Sequence, residues 1–249
     1  MVMPLSSGSA MAASIPIHGG PRELIITYRA QPADRPAFRA YLQTEGVALL
    51  RKLKSEGVLT SCQILFNPFV QPSTLDAMTV LNFRRYEDTD RWQKIEKTMP
   101  GGLSPVGLKL AKPSATYSAD LEWDGEAPQP GPLADHVFYA IPYTYNKADQ
   151  YRQFVSGYVV PQAEGWIKEG ALSRYRFFMN RFPVGDPEPW DSLFLLEYRN
   201  LAAFGDRDEV LKKTRIPLSE IPSWKQFNDT KSSIRTESEN TVMRHLASC

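Results

Sequence analysis

EGVLTSCQILFNPF, at residues 56–69, and EGALSRYRFFMNRF, at residues 169–182, share Glu, Gly, Leu, Asn and Phe at matching positions. The second stretch follows the first by 113 residues. Apolar residues also match along the central run of each stretch. Self-similarity at a fixed spacing is the signature of an internal repeat. These two stretches therefore predict that one structural unit occurs twice in the chain.

Further matches keep the same order along the chain. VLNFR at residues 80–84 aligns with LLEYR at 195–199 at an offset of 115, and Lys-Thr at 97–98 aligns with Lys-Thr at 213–214 at an offset of 116. Offsets that change by so little favour two copies with small differences in their loops. Chance similarity between short apolar runs is the alternative.

The length and a proline-rich segment suggest where the copies divide. At about 150 residues per domain, 249 residues leave one or two domains open. DGEAPQPGPLAD, at residues 124–135, contains three prolines, which a helix or a central strand does not tolerate. We therefore predict a first repeat at residues 22–123, a linker at 124–135 and a second repeat at 136–249.

Hydrophobic periodicity predicts the same order of elements in each copy, β-α-β-β-α-β. The predicted strands are 23–29, 59–66, 77–83 and 115–123 in the first copy, and 136–145, 172–179, 192–198 and 234–243 in the second. The shorter helix of the second copy is predicted at about 201–213. Pro161 interrupts the longer helix and predicts a kink or break near Val160.

The order β-α-β-β-α-β is the ferredoxin-like pattern, an antiparallel sheet with helices on one face. We predict an α+β fold of two tandem ferredoxin-like repeats that pack as an intramolecular pseudo-dimer. In this element order and duplication, the chain resembles the dimeric α+β barrel superfamily. That superfamily includes haem-degrading and cofactor-free monooxygenases, chlorite-dismutase-like haem proteins and proteins without known activity. The resemblance therefore restricts the fold more than the function.

Charge and hydrophobicity exclude several classes of protein. Lys and Arg total 29 against 28 for Asp and Glu, so the strongly basic surface of a dedicated nucleic-acid binder is not expected. No apolar run approaches the length of about 20 residues that crosses a bilayer as a helix. The expected partner is a small molecule, and the protein is expected to be a monomer or a homodimer.

Cysteines and histidines are few. Cys62 and Cys249 are too few for a disulfide framework, and we expect Cys62 to be a small buried hydrophobic residue, with a reactive thiol as the alternative. His18, His136 and His245 are widely spaced, so no metal site is predicted.

The first residues of the chain have no charged side chain. Ala10, Met11 and Ala12 fit a signal-cleavage pattern, but a basic segment and a full apolar segment are missing. Residues 1–21 are either a disordered tail or, at 1–13, a signal-peptide remnant. The remnant would make the protein periplasmic or secreted, and otherwise we expect it in the cytoplasm.

Polar residues on the predicted strands of the second copy suggest a ligand site. Arg174 and Arg176 share one face of a strand, and their counterparts in the first copy are Ser61 and Gln63. An arginine-bearing cavity suits an acidic or phenolic small ligand. An ion-pair network on a wet sheet surface is the alternative. The predicted ligand-binding residues are Arg174, Arg176, Glu197, Arg235, Tyr139 and Tyr143.

His136 is the weak candidate for a catalytic residue, as a general base or as a haem ligand. A structural or solvated histidine is the alternative. Asn67 and Asn180 occupy equivalent positions at strand ends, and the simpler interpretation is that each bonds its own backbone in a turn.

The sequence predicts a small-molecule-binding α+β barrel protein, with a monooxygenase-like oxidation of an aromatic or acidic substrate as its sharpest enzymatic form. A non-catalytic binding or structural protein is one alternative, and a haem-binding protein is the other. No cofactor is required by the sequence.

Overall fold

The computed structural model describes residues 22–71, 74–182 and 190–249, and within these ranges strands and helices alternate along the chain. The predictions of a disordered tail at residues 1–21 or a signal-peptide remnant at 1–13 concern residues outside the described ranges. The strands are β1 (Glu23–Ala30), β2 (Ser61–Phe66), β3 (Ala77–Asn82), β4 (Ala111–Glu126), β5 (Val137–Tyr145), β6 (Leu172–Asn180), β7 (Ser192–Tyr198), β8 (Arg235–Glu237) and β9 (Thr241–Ser248).

Eight of these strands close into an antiparallel barrel. Their order is β7-β6-β4-β1-β3-β2-β9-β5, and β5 pairs with β7 to complete the ring. The short β8 pairs beside the end of β5. Closure through the β4–β6 and β2–β9 pairs gives every sheet edge of the ring a hydrogen-bonded partner. The predicted α+β class and the antiparallel pairing of the strands are confirmed. The strands form one closed ring.

Helices cover the outside of the barrel on two sides. Those of the first half (residues 22–126) are α1 (Arg35–Tyr41), α2 (Val47–Ser55), α3 (Thr89–Glu96) and α4 (Pro105–Leu110). Those of the second half (residues 136–249) are α5 (Ala148–Phe154), α6 (Val160–Lys168), α7 (Leu201–Gly205), α8 (Arg207–Ser219) and α9 (Pro222–Ile234). No helix in the described part of the chain is long and apolar enough to cross a membrane.

Strand alternation gives the barrel wall two buried faces. Ile25 and Leu195 point into the barrel, where they join one apolar cluster, while their neighbours Leu24 and Leu196 pack against the helices outside. The inner cluster also includes Trp190, whose ring centroid lies 4.3 Å from that of Tyr117. The molecule therefore has three apolar cores, one inside the barrel and one under each group of helices.

The break predicted at Pro161 takes the form of a π-helical segment. Residues Val155–Val159 form this segment, and Pro161 lies in the first turn of α6, where its missing N–H is tolerated. A π-helical segment also joins α1 and α2, at Leu42–Gly46, where no proline occurs. The two segments are 113 residues apart. A π-helical segment therefore occurs at the same place in both halves and does not depend on Pro161.

The end of the chain differs from the prediction. The sequence pattern predicts a helix at 201–213 and a strand at 234–243, but the structure has α7, α8 and α9, followed by β8 and then β9. Pro222 starts α9, and the burial of Trp224 and Ile234 holds that helix against the core. The pattern misses α9 because polar residues separate its few buried positions. β4 also continues past Trp123 to Glu126, because its last residues pair with β6.

Cys62 is paired with a second cysteine, which neither interpretation of its role included. Cys62 is buried, as expected, but it forms a disulfide with Cys249, and the two Cα atoms are 5.2 Å apart. The antiparallel pairing of β2 with β9 places Gln63 opposite Ser248, which brings the two cysteines together. Because 187 residues separate the cysteines along the chain, the local sequence gives no sign of the bond.

The turn role predicted for the two asparagines is confirmed. The Asn67 Oδ1 accepts a hydrogen bond of 2.9 Å from the backbone N–H of Phe69, and the Asn180 Oδ1 accepts one of 3.3 Å from the N–H of Phe182. In each case the side chain bonds the backbone two residues on, as asparagine does in an Asx turn. These side chains therefore shape the turns that follow their strands.

Candidate functional site

The structure divides the predicted site between two cavities on opposite faces of the barrel wall. Along β5, Tyr139 and Tyr143 point outward to the helices, whereas His136 points toward the barrel interior. Arg235 lies with the two tyrosines. Arg174, Arg176 and Glu197 lie with His136. The predicted residues are thus brought together in two groups, and no single cavity contains them all.

The first cavity, called the helix-side cavity, lies between the outer faces of β5 and β7 and the helices α6 and α8. Its volume is about 290 Å³. Three arginines and two carboxylates border it, so its lining has an excess of one positive charge. Its polar and aromatic lining residues are Tyr139, Tyr143, Tyr158, Gln162, Trp166, Phe194, Tyr198, Arg207, Asp208, Arg215, Arg235 and Glu237.

Arg235 is a largely buried cation that lines the helix-side cavity. Its guanidinium carbon lies 3.8 Å from the centroid of the Tyr143 ring, a cation–π contact, and its side chain is only 16% exposed. The Glu237 carboxylate is 3.9 Å from its Nη1, which is too far for a hydrogen bond. That Nη1 is buried and has no hydrogen-bond partner among the described residues. Arg235 therefore retains an unused donor at the edge of an aromatic cavity.

A hydrogen-bonded chain fixes the opposite wall. The Arg215 Nε donates to the Gln162 Oε1 at 2.8 Å, and its Nη2 donates to the Tyr158 hydroxyl at 3.2 Å. The Tyr158 hydroxyl in turn donates to the Asn228 Oδ1 at 3.0 Å. These bonds hold Arg215 in place across α6, α8 and α9, so this wall is preorganised.

Burial keeps the cavity's phenol groups neutral. Removal from water raises the pKa of Tyr143, and it does the same to the pKa of Tyr158 and the pKa of Tyr198. A neutral phenol keeps its proton and donates a hydrogen bond. The Tyr143 hydroxyl donates in this way to the Glu237 Oε2 at 3.2 Å. The cavity therefore presents phenol donors and guanidinium cations to any molecule inside it.

The second cavity, called the barrel-mouth cavity, lies inside the barrel at one end and measures about 440 Å³. Arg176 donates from its Nη2 to the Gln63 Oε1 at 2.5 Å, which joins strands of the two halves. Burial lowers the pKa of Arg176 to about 10, which still leaves the side chain charged at neutral pH. Arg174 lies nearer the solvent and pairs with Asp124 at 2.9 Å.

His136 is held at both ring nitrogens. Its Nδ1 lies 2.6 Å from the Glu197 Oε1, and its Nε2 lies 2.9 Å from the backbone oxygen of Pro130. The Ser173 Oγ lies 3.2 Å from the same Nε2. Both ring nitrogens therefore already have partners within the chain. The ring links the barrel wall to the segment that leads into β5.

Sequence reasoning did not select Tyr158, Gln162, Arg207 or Arg215 as site residues. The counterpart of Tyr158 at the 113-residue offset is Glu45. Gln162 likewise corresponds to Leu49. Such divergence between copies was a readable signal of a site in the second half. Arg215 had no such signal, because the predicted helix stopped at Lys213.

The residues of the two cavities do not fit haem. Histidine, cysteine and methionine, which commonly ligate haem iron, do not line the helix-side cavity. Its buried tyrosines with raised pKa values resist forming the phenolate that an iron ligand requires. In the barrel mouth, His136 already uses both nitrogens. Among the described residues there is also no group of three or more His, Cys, Asp or Glu side chains that could hold a metal ion.

The fold and site together define an α+β barrel with a cavity between its wall and its covering helices. Several solved structures share this fold. No protein-family model matches the sequence, and no curated protein sequence matches it either.

Three solved structures show how far the likeness extends. An anthrone oxidase-like protein has a TM-score of 0.60 and 9% identity, over 94% of this chain and 94% of that one. A candidate monooxygenase from Lactobacillus acidophilus has a TM-score of 0.55 and 13% identity, over 92% and 96%. A haem-binding protein from Thermus thermophilus has a TM-score of 0.51 and 12% identity, over 91% and 91%. At identities this low, the likeness shows the fold alone.

Proposed function

We propose that this protein binds an acidic or phenolic aromatic molecule in the helix-side cavity and oxidises it with dioxygen in a monooxygenase-like reaction. The observation that carries the proposal is the placement of Arg235, a largely buried cation over Tyr143 with an unused donor at Nη1. A ligand anion beside this donor would complete the hydrogen bonding of the guanidinium.

The rest of the cavity supports an aromatic ligand. Tyr139, Phe194 and Trp166 supply faces and edges against which a flat ring packs well. The lining has more arginines than carboxylates, which favours an anion over a cation. Polar groups at a few fixed positions in a mainly aromatic cavity are typical of small-molecule sites.

The reaction class is supported by fold-level analogy. A candidate monooxygenase and an anthrone oxidase-like protein share this fold. Converting a ring CH₂ to a carbonyl with dioxygen adds one oxygen atom to the carbon and releases the other as water with the two hydrogens. Arg235 and Arg215 would stabilise the substrate anion formed on the way, and Glu237 would accept the proton.

Binding is tested first, with salicylate as the acidic phenolic probe and benzyl alcohol as the uncharged one. We expect salicylate to raise the melting temperature and benzyl alcohol to have little effect. Arg235→Gln should weaken salicylate binding by about tenfold or more, as expected for loss of a charge-assisted hydrogen bond. Arg85→Gln, on the exposed surface, is the matched control and should bind like the parent protein. Equal affinity in both variants contradicts the proposed site.

Oxidation is tested separately, by oxygen uptake with anthrone as the substrate. Uptake that falls in Arg235→Gln and persists in Arg85→Gln supports the enzymatic proposal. Salicylate binding without any oxygen uptake would support the competing function, a non-catalytic binding protein. A Soret band after addition of haem would favour the haem-binding alternative, and we expect none.

We also propose that the chain consists of two tandem ferredoxin-like repeats, at residues 22–123 and 136–249, packed as a pseudo-dimer. The strand orders β4-β1-β3-β2 and β9-β5-β7-β6 support this, because each places the last, first, third and second strand of its half in sequence. The matching π-helical segments support it as well.

Repeated hydrogen bonds give further support. In the first half, the backbone N–H of Asp76 donates to the backbone oxygen of Tyr28. In the second half, the N–H of Asp191 donates to the oxygen of Tyr143, and both residues lie 115 positions after their counterparts. A protease site inserted at the exposed Gln129 tests the division. After cleavage and reduction, the two pieces should still elute together as a folded barrel. Unfolding of both pieces on cleavage would argue against two repeats.

A further inference from the structure

We infer that the barrel-mouth cavity is a second binding site, specific for a small organic carboxylate that pairs with Arg176. This site is distinct from the helix-side cavity, since the two open on opposite faces of the barrel wall. The inference does not depend on the function proposed for the helix-side cavity.

The guanidinium of Arg176 is buried with one carboxylate, that of Glu197, nearby but not in direct contact. Its side chain is 9% exposed, and the Glu197 Oε2 lies 4.0 Å from its Nη2, beyond hydrogen-bond reach. The other oxygen of Glu197 is held by His136 at 2.6 Å. A buried guanidinium whose carboxylate makes no direct hydrogen bond is incompletely satisfied, so an anion that contacts it directly would be favourable.

Arg35 shows how this chain otherwise buries a guanidinium. Arg35 and Arg176 are the two arginines that are buried among the described residues. Arg35 forms a direct ion pair with Asp76 and also donates to the backbone oxygen of Asn67 at 2.6 Å. Arg176 instead bonds the neutral amide of Gln63. The direct carboxylate contact that Arg35 makes is not made by Arg176, whose nearest printed carboxylate oxygen is 4.0 Å away.

The free donors beside Arg176 suit a carboxylate. The Arg176 Nε is buried and has no hydrogen-bond partner among the described residues. The Gln63 Oε1 is used by Arg176, which leaves the amide nitrogen of Gln63 as a second donor in the same cavity. A guanidinium N–H and an amide N–H in the same cavity can donate to the two oxygens of a carboxylate.

The apolar residues in the rest of the lining indicate that the ligand carries a hydrocarbon chain. Leu121, Leu133 and Phe178 line the same cavity, so a short hydrocarbon chain would be removed from water there. The neighbouring cation, Arg174, already pairs with Asp124 at 2.9 Å, so one added negative charge is sufficient. A short aliphatic monocarboxylate meets both requirements.

The test follows the arginine Nε–H signals of ¹⁵N-labelled protein during titration with butyrate at constant ionic strength. The Arg176 signal is identified by its loss in Arg176→Gln. We expect this signal to shift with saturation, and the uncharged analogue butyramide to leave it unchanged. Butyrate should bind Arg176→Gln about tenfold or more weakly, and Arg235→Gln and the surface variant Arg85→Gln as the parent does.

A second variant keeps the inference falsifiable if Arg176→Gln does not fold. Gln63→Glu places a carboxylate beside Arg176 within the chain, so the variant should fold and should no longer bind butyrate. An Arg176 signal that does not respond to butyrate overturns the inference. Equal shifts with butyramide, or unchanged butyrate affinity in Gln63→Glu, also overturn it.

Discussion

The two groups of helices meet the barrel wall differently, and two tyrosines at equivalent positions show the difference. Tyr28 on β1 and Tyr143 on β5 are both almost fully buried. The Tyr28 hydroxyl donates to the backbone oxygen of Gly101 at 2.7 Å. Tyr143 instead lies beneath Arg235 and borders the 290 Å³ helix-side cavity. The Tyr28 hydroxyl is covered by backbone, whereas Tyr143 lines a cavity.

The segment after the third strand of each half accounts for the difference. In the first half it lies flat on the sheet, because Gly101 and Gly102 adopt positive φ angles that favour glycine. A Cβ at Gly102 would lie 2.7 Å from the Trp92 ring, so backbone and indole are in close contact. In the second half the longer helices α8 and α9 cover the sheet and leave a cavity. The same sheet face can therefore support either a solid core or a ligand site.

The largest expected effect comes from Trp92→Ala. The indole is almost fully buried between α3 and the Gly102 segment, so its loss opens a new void in the first half. We expect the free energy of unfolding to fall by about 3–5 kcal/mol. Trp166→Ala, in the second half, should cost less than half as much, since Trp166 is only partly buried and borders an existing cavity. Urea denaturation of both variants measures the difference, and equal losses would show that the two halves are equally well packed.

The next effect concerns the covalent link between the halves. Cys62 lies on β2 and Cys249 follows β9, so their disulfide joins the end of the second half to the first. Cys62→Ser should lower the free energy of unfolding by about 2–4 kcal/mol, because a closed loop of this length restricts the unfolded chain. Urea midpoints with and without reductant measure this. Cys249→Ser should lose the same amount, and reductant should then have no effect on either variant. An unchanged midpoint in reduced parent protein would contradict the expectation.

Local patterns in the sequence predicted much of the fold. The order of the elements was visible because strand alternation and helix periodicity are encoded by neighbouring residues. The turn role of Asn67 followed from its side-chain chemistry. The disulfide and the full extent of α9 were not visible, since they depend on pairing and packing between distant segments.

The candidate site was only partly predictable. That Arg174 and Arg176 share a face followed from their spacing. The separation of His136 from Tyr139 and Tyr143 was also readable, because an odd number of residues separates His136 from each tyrosine in the predicted strand 136–145, which places it on the opposite face. The sequence could not show that both faces of the barrel wall are covered. Each face therefore has its own cavity, where one had been expected.

A smaller effect compares the two tyrosines directly. Tyr28→Phe leaves the buried oxygen of Gly101 without its hydrogen bond and should cost about 1–2 kcal/mol of unfolding free energy. Tyr143→Phe should cost less, because its acceptor Glu237 has a side chain that is 47% exposed and can bond water instead. Urea denaturation again supplies the measurement. A larger loss for Tyr143→Phe would mean that the cavity side is the more tightly bonded of the two.

The smallest expected effect concerns Glu23, whose counterpart at the 115-residue offset is the apolar Phe138. Burial raises the pKa of Glu23 above its ordinary value of 4.5, although the backbone N–H of Leu121 donates to its carboxylate at 3.3 Å. The folded state therefore keeps this proton to a higher pH than the unfolded state does. The stabilisation is fully present below about pH 4.5 and is lost as the pH rises through the raised pKa.

Glu23→Gln cannot ionise, so its stability relative to the parent should increase between about pH 4 and pH 8. Urea midpoints of both proteins across this range measure the change, which we expect to be smaller than the effect of Tyr28→Phe. A relative stability that falls with rising pH would mean that the Glu23 carboxylate is stabilised in the barrel, and the first half would then tolerate buried charge as the second half does at Arg176.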